Sequence, residues 1–142
     1  MKIPLIVIAE DDVDDQFLLQ TAFDENGTNH QVKFVNNGVE LVSYLDSCFG
    51  IEGKISQRPS LIILDLNMPK KDGREVLKEL KSNDLFKCIP VIIFTTTKNA
   101  MEVQRCYEFG ANSYIVKPVS FDLLVNIIKE IKSFWFNTAV LP

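Results

Sequence analysis

The residues best suited to chemistry lie at four places where an apolar run gives way to polar residues. Glu10, Asp11 and Asp12 follow the run from Ile3 to Ala9, and Asp65 follows Leu61-Ile62-Ile63-Leu64, just before a turn marked by Pro69 and Gly73. Thr95, Thr96 and Thr97 follow the run Val91 to Phe94, and Lys117-Pro118 follows Tyr114 to Val116. A carboxylate at such a junction can act as a nucleophile, and Asp65 is the candidate. Glu10 and Asp11 beside it would crowd like charges and raise one another's pKa unless a cation intervened. Mg²⁺ suits that setting, because it accepts one or two carboxylates, keeps several waters and takes a substrate phosphate as a further ligand. An all-protein Ca²⁺ cage would need more oxygens. A phosphoryl group on Asp65 would bring ~1.5 to 2 negative charges and three acceptor oxygens, which the Thr95 hydroxyl and the Lys117 ammonium can meet.

Each residue has a plainer reading on its own. Asp12, Asp14 and Asp15 are read as solvated caps, Thr95 to Thr97 as a cap for the next helix, and Lys117 as a surface charge. The specificity lies in Glu10, Asp11, Asp65, Thr95 and Lys117 taken together at strand ends.

The elements that must position these residues alternate in type. Ile3 to Ala9, Val32 to Val35, Leu61 to Leu64, Val91 to Phe94 and Tyr114 to Val116 read as short buried strands rich in Ile and Val. Between and after them, Asp14 to Phe23, Gly38 to Ser47, Arg74 to Ser82, Ala100 to Phe109 and a stretch from an N-cap at Ser120 to about Phe134 carry helical spacing. Residues 48–60, with two Gly and Pro59, read as a long loop. Right-handed crossovers and short connections then favour an α/β doubly wound parallel sheet of five strands in the order 2-1-3-4-5, with its switch point between strands one and three. Neighbouring strands lie ~4.8 Å apart, so Glu10, Asp11 and Asp65 converge at one carboxyl-end crevice.

Composition narrows the function classes. A chain of 142 residues fits one domain at ~100–200 residues each, here a core of about 3–133 with an extension over 134–142. Lysine and arginine number 15 against 19 acids, a formal charge of −4, which disfavours direct nucleic-acid binding. Cys48, Cys88 and Cys106 lack metal-type spacing and read as reduced thiols. No signal peptide and no apolar run near ~18 residues is present, so a soluble cytoplasmic protein is expected. The single histidine, His30, reads as a solvated loop residue.

These residues resemble the receiver domains of two-component response regulators over nearly the whole chain. EDD after the first strand resembles the family's acidic pair at Glu10 and Asp11, and LDLNMPKKDG carries the phospho-acceptor position at Asp65. IIFTT places the switch threonine at Thr95, and YIVKP the lysine at Lys117. The resemblance implies a flavodoxin-like receiver fold and Mg²⁺ held by Glu10, Asp11, Asp65 and the Asn67 backbone carbonyl. It further implies Tyr114 as the switch aromatic, a cis Lys117-Pro118 peptide, and phosphotransfer from a sensor histidine kinase or phosphotransfer protein. The chain would then be a signalling domain that catalyses only its own phosphorylation and dephosphorylation. Thr96 departs from the small Ala or Ser usual there, which bears on access to the phosphoryl site. KKDGREVL, the lengthened loop and FWFNTAVLP resemble the stand-alone receivers that accompany bacterial phytochrome-type histidine kinases, which lack an output module and can form homodimers through the face near the last strand and helix.

Other classes fit less well. An aspartate-nucleophile phosphatase would carry a second Asp where Asn67 stands, and a flavodoxin-like nucleotide binder would not place Glu10-Asp11-Asp12 in its phosphate loop. A pseudo-receiver acting purely as a binding module would have no need of Asp65, Thr95 and Lys117 together.

Overall fold

A computed structural model describes residues 3–48 and 58–142. The strands are β1 (Leu5–Ala9), β2 (Gln31–Val35), β3 (Leu61–Leu64), β4 (Val91–Thr95) and β5 (Ser113–Val116). The helices are α1 (Val13–Asp24), α2 (Gly38–Cys48), α3 (Gly73–Ser82), α4 (Ala100–Glu108) and α5 (Phe121–Lys132), with a π-helical turn over Ser133–Thr138. All neighbouring strands pair parallel, in the order β2-β1-β3-β4-β5, as the sequence predicts.

The central strands are apolar throughout because both sheet faces are covered. Alternate residues serve opposite layers: Val7, Ala9, Ile62, Leu64 and Ile93 pack with residues of α2 and α3 such as Leu41, Leu45 and Leu77. Ile6, Ile8, Leu61, Ile63 and Ile92 pack with Leu19 and Phe23 of α1 and with Leu124 and Ile128 of α5. The edge strand β2 alternates exposure instead. No helix among the described residues is long and apolar enough to cross a membrane.

Several boundaries differ from expectation for local reasons. Asp12 caps α1 by accepting hydrogen bonds from the Asp14 and Asp15 amides, so the helix begins at Val13. Asp72 does the same for α3, which therefore starts at Gly73. Asn99, rather than the threonines after β4, caps α4. Cys48 is buried as the last residue of α2 instead of opening a loop, while the expected loop over 49–57 lies outside the described residues. The last helix gives way to the π-helical turn at Ser133, where the Ala139 amide donates to the Phe134 carbonyl at 2.7 Å, an i to i+5 bond. Trp135 and Phe136 rest partly buried on the α1/α5 layer, while Phe134 stays 52% exposed. The Lys117-Pro118 peptide is trans, contrary to expectation, since no cis bond occurs among the described residues. The trans form is the intrinsically preferred one by ~0.5–1 kcal/mol at X-Pro.

His30 also departs from its solvated reading. The half-buried imidazole lies 5.2 Å from the Phe23 ring, and its Nδ1 is 2.8 Å from Lys132 Nζ. That ammonium also donates to the Asn26 carbonyl at 2.7 Å and Asn29 Oδ1 at 2.9 Å, so Nδ1 serves as an acceptor. Burial and the nearby Lys132 charge push the imidazole below its usual pKa, with Asp24 partly opposing them. The unfolded chain therefore takes up this proton first, and folding stability falls as pH drops through about 6.5 toward the lower folded value. Urea denaturation at pH 7.5 and 5.5 should show a stability loss in the wild type that is smaller in His30→Gln. Equal losses in the two proteins would refute the assignment.

Candidate functional site

The site is built by register. Ala9 pairs with Leu64, so Glu10 and Asp65 leave adjacent strands at the same height, and the Asp65 amide donates to the Ala9 carbonyl at 3.2 Å. On the other side, Thr95 pairs with Val116, and the Lys117 amide donates to the Thr95 carbonyl at 2.8 Å. Parallel pairing thus delivers two carboxylates, a hydroxyl and a lysine to one sheet edge.

One oxygen each from Glu10, Asp11 and Asp65 lies within 4.8 Å of the others. Glu10 and Asp65 are buried and Asp11 is exposed, so the cluster opens to solvent on one side. Hard carboxylate oxygens at that spacing fit a hard divalent cation such as Mg²⁺ or Mn²⁺. Burial raises the Glu10 pKa, Lys117 and the Asp12 amide pull it back, and Asp65 adds repulsion. A cation at the cluster would relieve that strain between like charges.

Lys117 Nζ contacts Glu10 Oε1 at 2.6 Å, Asp65 Oδ2 at 3.0 Å and Asp15 Oδ2 at 3.0 Å. Burial disfavours the ammonium, yet the Glu10, Asp65 and Asp15 carboxylates outweigh it and hold the lysine protonated well beyond its ordinary range. Asp12 and Asp14 are solvated as expected, but Asp15 is half-buried and bound to Lys117, which the cap reading missed. A contact between positions 15 and 117 depends on how α1 docks beside the end of β5, and no local signal marks it.

The Thr95 hydroxyl is fully buried and has no hydrogen-bond partner among the described residues. Leaving such a group unsatisfied costs about 1–3 kcal/mol, which an acceptor brought to it would relieve. Thr96, the departure from family pattern, is exposed. Tyr114 is half-buried, and its hydroxyl donates to the Thr97 carbonyl at 2.8 Å, which links the aromatic of β5 to the segment after β4. Asn67 is exposed, and its amide donates to Asp65 Oδ1 at 3.3 Å, which orients the carboxylate.

Gly73 secures the turn that holds Asp65. Its amide donates to the Leu66 carbonyl at 3.0 Å, and a Cβ there would stand 2.3 Å from the Asp65 carbonyl oxygen and 2.7 Å from Leu66 Cα. Both obstacles are backbone, so they cannot swing aside. Gly73→Ala is expected to cost about 3 kcal/mol of stability, seen as a lower urea midpoint. An unchanged midpoint would show that this turn yields freely.

Residues 6–129 match the family model of the response regulator receiver domain. The response regulator Rcp1 of Synechocystis sp. is 38% identical over 138 residues, covering 97% of this chain and 92% of that protein. The phosphorylated cyanobacterial phytochrome response regulator RcpA is 40% identical and superposes with a TM-score of 0.88 over 99% of both chains. The Mn²⁺-bound form of Rcp1 is 37% identical with a TM-score of 0.84, covering 98% of this chain and 99% of that one.

Proposed function

Because this chain belongs to the response regulator receiver family, we propose that it accepts a phosphoryl group on Asp65 from the phosphohistidine of a partner histidine kinase or phosphotransfer protein. The P–N bond to the donor imidazole breaks, a P–O bond to a carboxylate oxygen of Asp65 forms, and the imidazole keeps the electron pair and takes up a proton. The observation that carries this reading is the convergence of Glu10, Asp11 and Asp65 within 4.8 Å, with Lys117 bridging Glu10 and Asp65.

Glu10, Asp11, Asp65 and the Asn67 carbonyl would hold Mg²⁺, which when bound neutralises charge on the phosphoryl oxygens. This chain's own residues supply the rest. Lys117 binds a phosphoryl oxygen, and the buried Thr95 hydroxyl donates to another. As Thr95 turns toward the phosphoryl group, the segment through Thr97 moves, and with it the hydrogen bond that Tyr114 makes to the Thr97 carbonyl. The aromatic then shifts, and the surface around β4, β5 and their helices changes population between two states.

Similarity to RcpA and Rcp1 supports a phytochrome-type kinase as the donor. The net charge of −4 supports a protein target over a nucleic acid. Incubation with acetyl phosphate and Mg²⁺, followed by intact mass measurement, should yield one phosphate adduct that is absent with EDTA. A folded, Mg²⁺-binding chain that took no phosphate from acetyl phosphate or from a phosphorylated kinase would overturn this reading.

A further inference from the structure

Lys117 is shared by three carboxylates that differ in burial and in allegiance. The Glu10 and Asp65 side chains are 3% and 9% exposed, and both supply oxygens to the cation cluster. Asp15, on the first turn of α1, is 39% exposed at its side chain and is not among the clustered oxygens. It lines a groove of about 110 Å³ with Leu18, Phe94, Lys117, Pro118 and Phe121. Among the described residues, Asp15 is therefore the one carboxylate partner of Lys117 that lies outside the cation cluster.

We propose that Asp15 is a positioning residue that retains the Lys117 ammonium at the edge of the site while a divalent cation and a phosphoryl group take over Glu10 and Asp65. This rests on the receiver reading above. The Lys117 side chain is 15% exposed, so water alone cannot replace the partners it gives up. Stripping a largely buried charge of its counter-ions is costly, whereas a hand-over that keeps one carboxylate in contact avoids an unpaired ammonium. Asp15 is suited to the task because its own exposure keeps its desolvation small. Before a phosphoryl group arrives, a Lys117 without Asp15 has Glu10 and Asp65 as its carboxylate partners and stays on them, opposing the incoming cation.

A competing explanation is that Asp15 merely adds favourable charge at the N-terminus of α1. Asp14 separates the two, because it carries the same charge on the same turn without an ion pair to Lys117. Wild type, Asp15→Asn, Asp15→Glu and Asp14→Asn should be compared by calorimetric Mg²⁺ titration and by the initial rate of adduct formation with acetyl phosphate. Asp15→Asn is expected to weaken Mg²⁺ binding and slow uptake by about fivefold each. Asp14→Asn should change both less than about twofold, and Asp15→Glu should restore most of the loss. Equal effects of Asp15→Asn and Asp14→Asn would overturn the proposal. A wild type that takes no phosphate defeats the receiver reading instead, and the Mg²⁺ titration then still decides whether Asp15 acts through Lys117.

Discussion

Asp65→Asn is expected to leave the chain folded and to abolish phosphate uptake from acetyl phosphate, a loss of more than about a thousandfold. The amide matches the carboxylate in size, so the buried site need not repack. Of the two side-chain hydrogen bonds, the one from the Asn67 amide to Oδ1 can persist to an amide oxygen, whereas the Oδ2 position becomes an NH2 donor from which the Lys117 ammonium must turn away. Lys117 loses one anionic partner but keeps Glu10 and Asp15. Removing one of the crowded carboxylates eases the repulsion that Asp65 exerts on Glu10, which offsets part of that lost ion pair. The net stability change should stay within about 1 kcal/mol. Chemistry is different, because a neutral amide oxygen is a poor nucleophile and cannot form a stable acyl phosphate. Intact mass after incubation with acetyl phosphate and Mg²⁺ reads the result directly. A single adduct of undiminished yield in Asp65→Asn would place the acceptor elsewhere and remove the central residue of the mechanism.

What the sequence reveals about this site follows from how short-range the signals are. Asp65 is legible because four buried aliphatics lead straight into it, and a charge immediately after such a run must emerge at a strand end. Glu10, Asp11, Thr95 and Lys117 are legible for the same reason, and the connection rules then bring the strand ends together. Asp15 fails that logic. It looks like any first-turn acid, and its bond to Lys117 depends on a docking angle between elements 102 positions apart. His30 escapes it likewise, since its partner Lys132 lies 102 positions away at the end of α5. The π-helical turn at Ser133–Thr138 has no local punctuation such as Gly or Pro, and its wider hydrogen bonding goes with the packing of Trp135 and Phe136 on the core. Strand ends are thus predictable from pattern, while contacts made through helix docking require the assembled fold.

Replacing Lys117 separates its role as local counter-charge from the role proposed for it as phosphoryl ligand. Without the ammonium, Glu10 and Asp65 are left buried with no cationic partner among the described residues, and Asp15 loses its ion pair. Removing one member of a buried ion pair costs ~3–5 kcal/mol when fully enclosed, and the open side of this cluster reduces that to about 2 kcal/mol. In the absence of divalent cations, Lys117→Ala should therefore melt about 6 °C below the wild type. Mg²⁺ should bind the variant more tightly, because it no longer competes with an ammonium for the same oxygens. Binding about tenfold tighter than in the wild type would add roughly 1.4 kcal/mol of extra stabilisation at saturating Mg²⁺, recovering most of the loss. Phosphate uptake should persist at a reduced rate, since Asp65 is intact, but Thr95 would then be the lone switch donor on the phosphoryl group. Hydrogen exchange around Thr95 to Thr97 should change less on phosphorylation than in the wild type. Asp15→Asn and Lys117→Ala thus move Mg²⁺ affinity in opposite directions, and in the double variant the Asp15 effect should shrink to that of Asp14→Asn. A Lys117→Ala protein as stable as the wild type without Mg²⁺, and gaining no more from it, would show that the carboxylates are balanced by something other than Lys117.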